Sequence, residues 1–69
     1  MIVIYREFGE KVRTLRKEKK LSQEQLAELI KRDPRTIVAI EAGKRNPTLK
    51  TIHKISLALK IPLADLFNF

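Results

Sequence analysis

Apolar residues recur three and four positions apart along most of the chain, in five runs separated by short polar breaks. That spacing predicts helices rather than strands. The first run, Tyr5, Phe8, Val12 and Leu15, predicts a helix from Tyr5 or Glu7 to Lys19, with Arg6, Lys11, Arg13 and Lys17 on its opposite side. The second opens at Ser22, which caps it while Gln25 reaches back to complete a capping box. Leu26, Leu29 and Ile30 are its expected buried face, and Ala27 is its small residue. The third starts at Asp33-Pro34, a good N-cap followed by a residue pre-set for the first helical position, and stops at Gly43. Asn46-Pro47-Thr48 breaks the chain again, and Thr48 caps a fourth helix with Leu49, Ile52, Ile55 and Leu59 as its core stripe, ending at Lys60. Ile61-Pro62 leads into a short fifth helix holding Leu63, Leu66 and Phe67. Only Ile2 to Tyr5 carries any strand character.

The expected fold is therefore all-α, a five-helix bundle forming one domain over residues 1–69. A core this small leaves about 3–5 kcal/mol of net stability, so packing must be good. There is no cysteine, and the lone His53 lies off the apolar stripe of its helix, as a solvated surface histidine does. No disulfide, metal site or cofactor is expected. Met1 to Tyr5 is apolar but too short for a secretory signal, and no apolar run could span a membrane. A cytoplasmic protein is expected.

Charge changes the picture from fold to partner. Fifteen Lys and Arg against eight Asp and Glu give a net charge of +7, which favours a polyanion, with nucleic acid ahead of a membrane surface. The candidate site is Gln23 to Gly43. Lys31-Arg32-Asp33 is too short a connection for the flanking helices to lie side by side, and it fits a helix-turn-helix, with Ala27 allowing close crossing. At about 100° per residue, Ile37, Ile40 and Glu41 turn inward, while Arg35, Val38, Ala39 and Ala42 turn outward. On so charged a chain, a merely solvated face would carry Lys and Glu. One arginine among small apolar groups instead suits a major groove, with a guanidinium for guanine and methyl groups for thymine methyls. The other reading of that face is a contact with a helix or a dimer partner.

The run LSQEQLAELIKRDPRTIVAIEAGKRNP, followed by TLKTIHKISLALKIPLADLF, resembles the phage repressor and Cro family of helix-turn-helix regulators. Matching positions extend from Phe8-Gly9 to Phe67 and include Arg16, Ser22-Gln23, Leu26-Ala27, Ile37, Glu41, Gly43 and Pro47. The resemblance implies base contacts from Arg35 and Ala39, with Pro34 and Val38 beside them. It implies phosphate contacts from Gln23, Ser22, Lys44, Arg45 and Asn46, which fix register without reading sequence. It also implies a structural ion pair between Arg16 and Glu41. Departures occur at Lys20, Lys31 and Lys60, where Gly is common after a helix, and at Arg32, a position usually apolar. A left-handed lysine costs about 1 kcal/mol relative to Gly. Arg32 either lays its stem along the core with its head outside, or the turn differs locally.

The charged run Arg16 to Lys20 fits either a phosphate patch or a helix end complementing its dipole. The apolar tail, with Leu66, Phe67 and Phe69, folds over the core or meets a second subunit; Ile2-Val3-Ile4 is the other candidate for an interface. A homodimer on double-stranded DNA would set two recognition helices about 34–36 Å apart. An enzyme is not expected, since the carboxylates sit among basic neighbours and there is no Gly-rich phosphate loop. The expected function is a sequence-specific transcriptional regulator, a repressor on an inverted repeat. The alternatives are an antitoxin that also binds DNA, or a protein-interaction adaptor of the same fold.

Overall fold

The computed structural model describes residues 2–69. Four α-helices follow one another, α1 (Val3–Glu18), α2 (Gln23–Leu29), α3 (Pro34–Glu41) and α4 (Leu49–Leu59), and a 3₁₀ segment, Leu63–Phe67, closes the chain. The described residues contain no strand. The expected fifth helix is thus a 3₁₀ piece, in line with its five residues. Val3 and Ile4 are helical rather than extended, because the amides of Tyr5 and Arg6 both donate to the Ile2 carbonyl and start α1 early.

Helix starts follow the capping chemistry. Ser22 accepts from the Gln25 amide at 2.9 Å while Gln25 Oε1 accepts from the Ser22 amide at 2.8 Å. Asp33 caps α3 by accepting from the Arg35 amide, and Thr48 caps α4 by accepting from the Thr51 amide.

All four helices end in one way, with a left-handed residue and two carbonyl-capping bonds, the outer spanning six residues: Leu21 to Arg16, Arg32 to Ala27, Lys44 to Ala39 and Ile61 to Ser56. Lys20, Lys31 and Lys60 take this position with φ of 59°, 58° and 58°, and Gly43 takes it with φ of 73°. The choice between Lys and Gly follows from surroundings. The three lysines are exposed. Gly43 is buried against α1, where a Cβ would lie 2.8 Å from the Arg6 Cα. The strain of a left-handed lysine, about 1 kcal/mol, is tolerable at a free surface; a side chain against a backbone is not.

The core is Phe8, Val12, Leu26, Ala27, Ile30, Ile37, Ile40, Ile55, Leu59 and Leu66. Leu29 and Leu49, expected inside, are exposed. Each is the terminal residue of its helix, Leu29 the last of α2 and Leu49 the first of α4. Leu66 is fully buried within its own chain. It therefore anchors the 3₁₀ segment and cannot also face a second subunit. Phe67 stacks on Phe8 with ring centroids 5.3 Å apart, and Phe69 lies 6.4 Å from Phe67, so the tail folds back onto α1. Arg32 is exposed and borders a surface hollow beside Thr36 and the core residue Ile40. The α2–α3 turn keeps its form around Lys31.

Helices α1 and α3 approach closely at Gly9. A Cβ on Gly9 would collide with the carbonyl oxygen of Ile40 and lie 2.9 Å from that of Glu41. The absence of a side chain there is what lets the end of α3 rest on α1. Ala27 on α2 is fully buried in the core.

Candidate nucleic-acid interface

The site is held from beneath by one polar cluster. Arg16 on α1 donates from Nε to Glu41 Oε2 at 2.7 Å and from Nη2 to Glu41 Oε1 at 3.0 Å. Its Nη1 donates to the Leu21 carbonyl at 2.7 Å, and Gln23 Nε2 donates to Glu41 Oε1 at 3.1 Å. Four places meet here: the end of α1, the turn after it, the start of α2 and the end of α3. The hydrogen bond to Glu41 raises the Arg16 pKa above its ordinary value, against the opposing effect of burial. No buried side-chain nitrogen or oxygen among the described residues lacks a partner, which is the condition for such a cluster to be tolerated inside so small a protein.

Above it, the helical rotation of α3 comes out as its spacing predicts. Ile37, Ile40 and Glu41 are buried. Pro34, Arg35, Val38 and Ala42 are exposed and Ala39 is half-exposed. Asp33, Arg35, Thr36, Ala39, Lys44 and Arg45 line one open concavity. The structure thus brings the expected base-reading residues Arg35 and Ala39 beside the expected phosphate-binding residues Lys44 and Arg45. Asn46, also exposed, turns toward the neighbouring hollow with Pro47 and Thr48.

Two expected phosphate donors are less free than the sequence implies. One amide hydrogen of Gln23 is spent on Glu41, so only the other remains for a phosphate. Ser22 Oγ already accepts the α2 cap bond, leaving its hydroxyl hydrogen.

Three features had no sign in the sequence pattern. Thr36 accepts from Arg45 Nη1 at 3.0 Å and ties the loop after α3 to the helix itself. Lys31, Arg32, Lys50 and Lys54 form a cationic cluster; the Lys54 pKa is lowered first by desolvation and then by those three neighbours. Finally, Arg35 is paired with Asp33, through Nε to Oδ1 at 3.1 Å and Nη2 to Oδ2 at 2.9 Å. Arg35 holds the Asp33 carboxyl at about 2, below its ordinary 3.8. The spacing of two could have signalled this pair only by noting that an N-cap side chain folds back over the first turn.

The described residues hold no cluster of groups fit to bind a metal, and no helix is long and apolar enough to cross a membrane. The helix-turn-helix family model matches residues 12–66. The chain is 48% identical over 62 residues to the control protein C.MunI of a Mycoplasma species, covering 88% of this chain and 84% of that one. It is 37% identical over 61 residues to the cryptic phage CTXphi transcriptional repressor RstR of Vibrio cholerae, covering 88% of this chain and 55% of the repressor. Among solved structures, the restriction-modification controller protein C.AhdI from Aeromonas hydrophila superposes with a TM-score of 0.93 at 39% identity, over 96% of this chain and 100% of that one. These likenesses run through the same helices that build the concavity and carry the Arg16–Glu41 cluster. The chain belongs to the helix-turn-helix family and is a DNA-binding transcriptional regulator of the phage repressor and Cro type, not an enzyme.

Proposed function

We propose that this protein is a sequence-specific regulator, a repressor that binds an inverted-repeat operator in the cytoplasm as a homodimer. In this reading α3 enters the major groove, with Arg35 on guanine and Val38, Ala39 and Pro34 along the base edges. Lys44, Arg45, Asn46, Ser22 and Gln23 hold the sugar-phosphate chains. The observation that carries it is the concavity in which the outward face of α3 meets the basic loop after it. A slim apolar helix with one fork-shaped cation, flanked by Lys and Arg, has the shape and charge of a groove reader. RNA suits it poorly, because an A-form major groove is too narrow for a helix. Exposed apolar residues at both ends of the chain, Ile2, Val3 and Ile4 with Phe67 and Phe69, supply surface for a second copy. The regulated genes, by likeness to the controllers, belong to a restriction–modification system.

Selection from a random duplex library at physiological salt tests this. An enriched palindrome with half-sites one turn apart is the expected result, and its occurrence before restriction or methyltransferase genes would place the regulator in its circuit. A lone half-site would remove the dimer. No enrichment would turn the outward face of α3 over to a protein partner, an antitoxin's toxin included.

A further inference from the structure

Resting on the reading of α3 as the DNA-contacting helix, we propose that Asp33 is a specificity-determining residue, which aims the Arg35 guanidinium at guanine and keeps it off phosphates. Its carboxylate accepts three bonds from one neighbour. Oδ1 takes the Arg35 backbone amide at 2.8 Å and Nε at 3.1 Å, and Oδ2 takes Nη2 at 2.9 Å. Arginine has five N–H donors in a rigid fork. The pairing consumes the edge shared by Nε and Nη2. Both hydrogens of Nη1 and the outer hydrogen of Nη2 stay free, so one edge with two parallel N–H groups remains, and such an edge matches O6 and N7 of guanine. The side chain is 91% exposed, so nothing else in the chain restrains it. A free arginine would sweep many rotamers and meet any phosphate within reach; a buttressed one presents a fixed edge.

Capping alone does not account for the residue. Ser22 and Thr48 cap α2 and α4 through hydroxyl groups, and Ser, Asn and Asp cap about equally well. Asp33 is the one acidic residue lining the concavity with Arg35, Thr36, Ala39, Lys44 and Arg45, on a chain of net charge +7. A carboxylate there weakens attraction for every duplex alike. The compensation is selectivity: it cancels the charge with which Arg35 would bind phosphate and leaves the fork that reads a base.

The test compares wild type, Asp33→Ser, Asp33→Asn and Arg35→Ala on the selected duplex and on a duplex of scrambled sequence, over a range of salt. Serine keeps the cap and cannot span to the guanidinium; asparagine keeps the cap and removes the charge. Thermal melting followed by circular dichroism confirms that each variant is folded. For Asp33→Ser we expect tighter binding to scrambled duplex, a salt dependence steeper by about one phosphate contact, and a specificity ratio lower by roughly tenfold. Asp33→Asn should fall between. If Asp33→Ser strengthens the selected duplex at least as much as the scrambled one, Asp33 is a competitor for Arg35 and the proposal fails. An unchanged ratio would reduce Asp33 to a cap and overturn it as well. If Arg35→Ala keeps the full preference, DNA reading stands but this role for Asp33 falls. Absence of any preferred duplex for wild type would overturn both readings together.

Discussion

Two arginine–carboxylate pairs with the same bonding pattern sit in different surroundings. Arg16–Glu41 and Arg35–Asp33 each join through Nε and Nη2 to the two carboxylate oxygens. The first pair has side chains 9% and 3% exposed, the second 91% and 49%. Burial separates their roles. A pair shut away from water cannot exchange partners, and its loss strands a charge, so it defines architecture. A pair in water contributes little to stability and can offer its free edge to a ligand, which is the role proposed for Arg35 and Asp33.

Breaking the buried member gives the largest expected effect. Glu41→Ala leaves Arg16 and Gln23 without their acceptor and should cost about 3–5 kcal/mol. Since a domain of this size has about that much to lose, the variant should be largely unfolded at 25 °C by circular dichroism. A variant that melts near wild type would show that water reaches Arg16. The same truncation on the exposed pair should behave oppositely. Arg35→Ala should leave the melting curve in place while specific DNA binding, measured by fluorescence anisotropy, weakens roughly tenfold to a hundredfold. A comparable loss on scrambled duplex would assign Arg35 to phosphate instead. Lys44→Ala sharpens the contrast within the reading surface. All duplexes should weaken alike, and the slope of log K against log salt should become shallower by about one; a changed sequence preference would contradict a phosphate role.

The smallest effect is in acid. Arg35 depresses the Asp33 pKa to about 2 from 3.8. A depressed carboxylate stabilises the fold fully above its unfolded value, and that contribution fades as pH falls from about 4 through 2. The Asp33 carboxyl carbon, followed by NMR, should therefore titrate near 2. A midpoint near 4 would mean that the pair is open in solution.

Much of this architecture is legible in the residues. Ser22 with Gln25, Asp33 with Pro34, and Thr48 mark helix starts by hydrogen-bond chemistry local to a few positions, and the structure follows them. The left-handed lysines are legible through the family resemblance, since each stands where Gly is common after a helix. Leu29 and Leu49 were misplaced because an apolar residue at a helix end fits the periodic stripe whether or not a neighbouring element covers it. Gly9 stands in the sequence only as part of the family pattern, and its purpose depends on the carbonyls of Ile40 and Glu41, far along the chain. Asp33 was visible only as a cap. Residues two apart do not face each other on a helix, and the pair forms because Asp33 stands just outside α3 with extended backbone.

The cluster of Arg16, Glu41, Gln23 and the Leu21 carbonyl has a consequence for time. It fastens the end of α3 to the start of α2 and to α1 through bonds made entirely within the chain. If α3 reads DNA as proposed, its angle to α1 and α2 is therefore set before any duplex arrives, and docking needs no slow rearrangement of the backbone. Encounter becomes a matter of diffusion and the pull of a net positive chain toward a polyanion. For a regulator held this way, the step that limits binding is the meeting of protein and duplex, not a change of shape.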